Sequence, residues 1–266
     1  MIDDTNKIPL VKMVGISKDY SGVHALRSVD FEIYKGEVIG LLGDNGAGKT
    51  TLIKVLLGLE QPTSGEIFLE GKKVKMNSAS QSRAWGMEAA HQTLALVPEM
   101  NIARNFFLGR EITKGYGPFK FLDMREMIKI CDEKLTEIGI KRKISSDNKV
   151  SFLSGGEKQS ICIGRAVSFG VKILVLDEPT AALSINETNK VLEYVINAKK
   201  LGLSVVFITH NIYHVYSVAD RFVILEEGAV IGNFRKEDVT TEQIIDVISK
   251  GKEIAEKIIS TNIIKT

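Results

Sequence analysis

Residues 38–50 read VIGLLGDNGAGKT: five apolar residues, then Gly43-Asp44-Asn45-Gly46-Ala47-Gly48-Lys49-Thr50, with a helical pattern starting at Thr51 (TLIKVLLG). The octet has the GxxxxGK[ST] spacing of a phosphate-binding loop. Its glycines let successive backbone N–H groups turn inward around an anion, and the N-terminus of the following helix adds its dipole. Lys49 is placed to reach the β- and γ-phosphates of a nucleotide, and the Thr50 hydroxyl to ligate Mg2+. Taken alone, such a loop serves kinases, GTPases and motors alike.

Two further stretches share the character of residues 38–42. Residues 173–176 (ILVL) and 205–208 (VVFI) are continuously apolar rather than alternating, which predicts strands buried on both faces of a parallel sheet. Each is followed by a helical pattern, the mark of α/β crossover units. Elsewhere Val29, Phe31 and Ile33 alternate with Asp30, Glu32 and Tyr34, predicting a strand with one wet face, and residues 66–70 (EIFLE) read as a short strand before Gly71. Ile128, Cys131, Leu135 and Ile138 recur at helical spacing, with Gly139 as the stop, and Val191, Val195 and Ala198 mark a helix ending before Gly202. Thr240 and Gln243 match a capping box, and residues 244–260 (IIDVISKGKEIAEKIIS) read as one amphipathic helix packed on the core. Residues 92–168 lack the apolar strand runs and read as a mostly helical insertion into a mixed-sheet core.

Composition narrows the classes. Of 266 residues, 44% are hydrophobic and 26% charged, which suits a globular core and excludes wholesale disorder. The balance of 35 Lys+Arg against 33 Asp+Glu gives +2, no electrostatic footprint for nucleic acid or an anionic membrane. No apolar run approaches the ~18–20 residues of a bilayer span. The opening MIDDTNKIPL is acidic and unlike a secretory leader, so a place in the cytosol or on the cytosolic face of a membrane is expected. Cys131 and Cys162 form no CxxC and read as free, buried thiols. His210 and His214 stand four apart without an acidic third ligand, so no zinc is expected there, and Lys72, Lys73 and Lys75, like Lys141, Arg142 and Lys143, read as solvated faces.

Two motifs give the phosphate loop its chemistry. Residues 173–178 (ILVLDE) form a buried strand ending in adjacent carboxylates before Pro179. Asp177, at the strand's C-terminal end, belongs beside the phosphate loop as a holder of Mg2+, while Glu178 projects differently and suits a general base for an attacking water. Residues 153–159 (LSGGEKQ) place a Ser-Gly-Gly turn at the head of a helix running from Glu157 to about Phe169, a second backbone anion site 154 − 49 = 105 residues beyond Lys49.

That last heptad resembles the LSGGxxQ signature of ATP-binding cassette (ABC) ATPases, and the resemblance runs from about Met13 to Gly232 with every motif in order. It implies an α/β fold: a P-loop NTPase (RecA-like) core with an antiparallel β subdomain and an inserted α-helical subdomain. The single domain 1–266 then divides at about 1–92 (core with the antiparallel part), 93–168 (helical), 169–240 (core) and 241–266 (helical tail). The implied ligands are ATP and Mg2+. ATP would be held by residues 43–50 and Thr51, and two copies would pair head to tail so that Ser154, Gly155, Gly156 and Gln159 close on the partner's nucleotide. His210 matches the switch histidine that contacts the γ-phosphate and water. Gln92 matches the glutamine that senses Mg2+ and γ-phosphate, and Tyr20 the aromatic that stacks on adenine. Ser184 departs from the pattern, standing where the family commonly carries an acid that contacts the opposite site.

Residues 94–112 (LALVPEMNIARNFFLGREI) and 210–228 (HNIYHVYSVADRFVILEEG) are similar to those of ribose-, xylose- and fructose-type monosaccharide importers, in their shorter, single-cassette branch. This implies a peripheral subunit on the cytoplasmic face of the cell membrane. Its partners would be a second copy, an integral-membrane permease and, indirectly, an extracytoplasmic solute-binding protein, with no nucleic acid. Residues 94–104, hinged at Gln92, would lie against the permease. The alternatives are an importer of amino acids or other small solutes, and a soluble ABC ATPase of translation or DNA repair. Those translation factors carry two cassettes and a charged linker, and the repair ATPases long coiled-coil insertions, features that this sequence does not display.

Overall fold

The computed structural model describes residues 8–90, 96–117, 119–137 and 145–263. Gln92, Leu94, Ile138, Gly139, Lys141, Arg142 and Lys143 therefore lie outside the described residues. In chain order the elements are β1 (Val11–Tyr20), β2 (Val23–Ile33), β3 (Val38–Leu42), α1 (Lys49–Leu56), β4 (Ser64–Leu69), β5 (Lys72–Val74), α2 (Ala79–Ala84) and β6 (Met87–Ala90). Next come α3 (Ile102–Phe106), β7 (Thr113–Lys114), β8 (Phe121–Leu122), α4 (Met124–Glu137), α5 (Gly155–Ser168), β9 (Ile173–Asp177) and α6 (Ile185–Lys200). The chain closes with β10 (Ser204–Ile208), α7 (Ile212–Val218), β11 (Arg221–Glu226), β12 (Ala229–Arg235), α8 (Thr241–Lys250) and α9 (Lys252–Ile263).

Two sheets organise these elements. A four-stranded sheet runs β2-β1-β4-β5, with every pairing antiparallel. A six-stranded sheet runs β12-β11-β3-β10-β9-β6, parallel throughout except for the edge pair β11–β12. The continuously apolar runs sit in its centre for a geometric reason. Successive side chains of a strand point to opposite faces, and both faces of this sheet are covered. Ile39, Leu41, Ile173, Val175, Val206 and Ile208 join one core with the antiparallel sheet and α1. Val38, Leu42, Leu174, Leu176, Val205 and Phe207 join a second core with the helices on the other face.

The helical readings fare differently in detail. Helix α4 turns Met127, Cys131 and Leu135 inward, while Ile128 is only partly buried. The capping box of Thr240 and Gln243 opens α8 as the spacing predicts. The single amphipathic helix expected over residues 244–260 is corrected to two, because Gly251 adopts φ 75° and ends α8 before α9 begins. Ile244, Val247, Ala255 and Ile258 still pack on the core. The hairpin β7–β8 carries no apolar periodicity and is exposed along both strands, so nothing in its sequence marked it as strand.

One ion pair locks the second sheet to the turn before β3. Arg221 donates from Nε to Glu37 Oε1 at 2.6 Å and from Nη2 to Glu37 Oε2 at 3.0 Å, and Nη2 also reaches the Glu32 carbonyl at 2.8 Å. The two side chains are only 11% and 12% exposed, so removing one partner strands a buried charge. Arg221→Ala is expected to lower unfolding stability by about 3–5 kcal/mol, read from chemical denaturation; a loss below about 1 kcal/mol would contradict the pair's structural role.

Candidate functional site

The geometry begins with where the central strands stop. Ile208, the last residue of β10, lies opposite Leu41 of β3 on one side and Asp177 of β9 on the other. Three parallel strands thus end level, and the segments leaving them are collected along one rim of the sheet, where ligands bind in open α/β folds. After β3 comes the loop 43–48, after β9 come Glu178 and Pro179, and after β10 come Thr209 and His210.

The phosphate loop needs its glycines for steric reasons visible in the surroundings. Gly43 has φ 135°, and a Cβ there would meet the Leu225 carbonyl oxygen at 2.2 Å; Gly48 has φ 103°, and a Cβ would meet the Ala25 carbonyl oxygen at 2.7 Å. The loop is backed by the turn between β11 and β12, where Gly228 N–H donates to the Ala47 carbonyl at 3.0 Å. Helix α1 makes its first backbone bond from Leu52 N–H to the Gly48 carbonyl at 2.9 Å. The N–H groups of Lys49, Thr50 and Thr51 ahead of it have no intrahelical acceptor, as at any helix start. Asp44, Asn45 and Gly46 are exposed at the mouth and Ala47 is buried beneath it. Lys49 folds across the loop, donating to the Gly43 carbonyl at 2.6 Å and the Asp44 carbonyl at 2.9 Å. Partial burial pulls the Lys49 ammonium below its usual pKa, opposed by the nearby Glu178, Asp44 and Asp177 carboxylates. Those oppositions place the lysine within the field of both strand-end acids.

Glu178 occupies a strained backbone position, φ 50°. Its N–H donates to the Ile208 carbonyl at 2.9 Å, tying it to the end of β10. The carboxylate is then gripped by the two residues just past β10. Thr209 Oγ1 donates to Oε2 at 3.0 Å, His210 N–H to Oε1 at 3.1 Å, and His210 Nδ1 lies 2.8 Å from Oε1. The expected base and switch histidine are thus hydrogen-bonded partners. With Nδ1 as the donor, His210 Nε2 is left as an acceptor facing solvent, the ring being 80% exposed. His214 points elsewhere, its ring nitrogens 3.1 Å from Thr180 Oγ1 and 3.2 Å from Asn211 Nδ2, and burial lowers its pKa.

The structure therefore gathers residues 43–51, Asp177, Glu178 and His210 on one rim. Thr209, wholly buried, was missed: its position between an apolar run and His210 gave no signal, yet it supplies one of the carboxylate's donors. Tyr20 ends β1 half-exposed, with Lys18 Nζ 4.9 Å from its ring centre. The signature turn is held by other contacts. Ser154 caps α5 in a reciprocal box with Glu157, Ser154 N–H donating to Glu157 Oε2 at 2.9 Å. Gln159 is buried, with Nε2 unpaired among the described residues. Gln92 falls just beyond β6 and outside the described residues.

Thr50 and Asp177 supply hard oxygen donors suited to Mg2+, and the loop forms a cradle that a Cβ at Gly43 or Gly48 would fill. Backbone N–H groups that can take a polyphosphate, a hydroxyl and a carboxylate that can take a cation, and a second carboxylate held by its own donors are the parts that phosphoanhydride hydrolysis needs.

The chain's relatives agree in kind. A family model described as ABC transporter matches residues 26–181. The xylose/arabinose import ATP-binding protein XylG of Sulfolobus acidocaldarius is 44% identical over 90% of this chain and 94% of its own length. The fructose import ATP-binding protein FrcA of Rhizobium meliloti is 40% identical over 92% and 95%. The ribose import ATP-binding protein RbsA of Caldanaerobacter subterraneus is 36% identical over 93% of this chain but 49% of its own. Among solved structures, the ADP conformation of MJ1267, an ATP-binding cassette of an ABC transporter, superposes with TM-score 0.77 at 26% identity, covering 94% of this chain and 98% of that one.

The sterics separate the loop glycines. Gly43→Ala is expected to weaken ATP binding by about 10- to 100-fold, since it forces a Cβ into a carbonyl at positive φ, whereas Gly46→Ala, with open space around it, should lose clearly less. Titration with a fluorescent ATP analogue compares the two; equal losses would contradict the clash.

Proposed function

This chain belongs to the ABC transporter family, and from that premise we propose that it is the ATP-hydrolysing subunit that powers import of a monosaccharide across the cell membrane. The observation that carries the reading is the shared rim on which the phosphate loop, Asp177 and the Glu178–His210 pair meet. The sugar reading draws on the relatives, whose names place them in xylose/arabinose, fructose and ribose import.

In the proposed mechanism the backbone N–H groups opening α1 bind the β- and γ-phosphates, and Lys49 exchanges its carbonyl acceptors for phosphate oxygens. Thr50 and Asp177, with Gln92, would hold Mg2+, which would neutralise phosphate charge. Glu178 takes a proton from the attacking water, and Thr209 and His210 keep its carboxylate pointed at that water. Tyr20 offers the adenine a stacking face. The chain has one base and one phosphate loop but two helix N-termini of the anion-binding kind, which supports a head-to-tail pair. In that pair Ser154, Gly155, Gly156 and Gln159 face the partner's nucleotide. We read residues 93–168 as the subdomain that rotates against the rest during closure.

Among the described residues no helix is long and apolar enough to cross a membrane. We place the chain on the cytoplasmic face, held by a permease that in turn receives sugar from an extracytoplasmic binding protein. A groove of roughly 290 Å³ fits the permease: Leu57, Leu59, Ala89 and Leu96 line it, with Arg83, Glu88 and Arg165 among its charged groups. Glu88 pairs with Arg110 at 3.3 Å, and Arg165 Nη2 donates to the Leu108 carbonyl at 3.1 Å, so the groove is braced from residues 105–110. Half-exposed Leu59 offers an apolar contact at its edge.

Glu178→Gln is expected to cut ATP turnover by at least about 100-fold while trapping an ATP-bound dimer, measured by phosphate release and light scattering; retained hydrolysis removes Glu178 from the role of base. For coupling, a strain lacking this chain is expected to lose uptake of a labelled pentose or hexose. The unaltered chain should restore uptake, and Leu59→Asp should not, despite normal ATPase activity of the purified protein. Unchanged sugar uptake in the deletion strain would refute the sugar reading.

A further inference from the structure

Glu187 does more than its place in the helix requires. As the third residue of α6 it completes a capping box: Ser184 N–H donates to Glu187 Oε2 at 3.1 Å and Glu187 N–H to Ser184 Oγ at 3.4 Å. The Ser184 hydroxyl is also 2.8 Å from the same carboxylate oxygen. That carboxylate lies against the signature turn as well: the Ser184 hydroxyl and N–H hold it below the usual carboxylate pKa, and the nearby Ser154 side chain and Gly156 N–H add to the effect.

Packing reinforces the joint. A Cβ on Gly155 would meet Leu183 Cδ2 at 2.5 Å, and one on Gly156 would meet Glu187 Cβ at 3.1 Å. The signature glycines are therefore small because the segment 183–187 presses on them, besides any role toward phosphate. The same segment starts at the base: Ala181 N–H donates to the Glu178 carbonyl at 3.1 Å, and both Glu178 and Ala182 hold positive φ, 50° and 57°. A short, strained link thus runs from Glu178 to Glu187 and ends against Gly155 and Gly156. Serine at 184 suits this joint, since its hydroxyl donates to Glu187, where an acid would set two carboxylates against each other.

We propose that Glu187 is a positioning residue that clamps the signature turn to the segment following Glu178, so that the signature offered to the partner's nucleotide is set by the state of the chain's own base. The proposal rests on the head-to-tail pairing above. Its test uses the full chain carrying Glu178→Gln, in which MgATP should drive dimerisation measured by analytical ultracentrifugation. Adding Glu187→Ala is expected to weaken that dimer about tenfold or more, with the affinity of the single chain for a fluorescent ATP analogue unchanged. Adding Glu187→Gln instead, which keeps the capping acceptor, should recover most of the loss. Dimerisation of Glu178→Gln/Glu187→Ala equal to that of Glu178→Gln overturns the clamp. A parallel loss of nucleotide affinity in the single chain also overturns it, by showing general damage. If Glu178→Gln alone stays monomeric under MgATP, the pairing itself falls and this inference with it.

Discussion

The level ending of β3, β10 and β9 is the constraint on which the rest of the molecule depends. Parallel pairing fixes Ile208 between Leu41 and Asp177. Four consecutive residue pairs on the β3 side and five on the β9 side hold that alignment without a register shift. The loop, the acids and the histidine are then separated by strand spacings rather than by flexible chain. A site assembled in this way pays little ordering entropy when the nucleotide arrives.

Electrostatics and strain then divide the work between neighbours. Asp177 and Glu178 are adjacent in sequence, yet Asp177 still pairs within the sheet while Glu178 takes a left-handed backbone. Asp177 lies within the electrostatic field of Lys49. The other is surrounded by donors from Thr209 and His210, which fix its direction without burying it. Such a twist would not survive in isolation; the Ile208 carbonyl and the residues after β10 hold it in place.

Much of this was legible in the sequence, and the exceptions share a cause. The three apolar runs declared a two-faced parallel sheet because burial on both sides removes any need for polar alternation, and the octet 43–50 declared its loop because only glycine tolerates those torsions. The features that stayed hidden depend on contacts between distant residues. Thr209 and Glu187 look like any buried threonine and any helix-start glutamate until the fold brings Glu178 and Ser154 to them. Gly251 illustrates the same limit from the other side. Residues 244–260 keep one helical periodicity across it, and the break comes from the left-handed backbone that Gly251 adopts, φ 75°. The segment 94–112 was recognised by likeness alone. Its structure supplies the reason for Asn105, whose buried amide accepts from Val97 N–H at 2.7 Å and donates to the Val97 carbonyl at 3.0 Å, closing the turn into α3.

The sheet also separates the molecule into two apolar compartments, one under the phosphate loop and one under the helices. The two compartments share the backbone of β3, β9 and β10, so substitutions in them couple through those strands. Each central strand carries alternate residues into the two compartments, so a change on one face is felt by the strands that hold the phosphate loop. The strands that end at the site are thus also the partition between the two cores, and burial on both of their faces is what holds the rim in place.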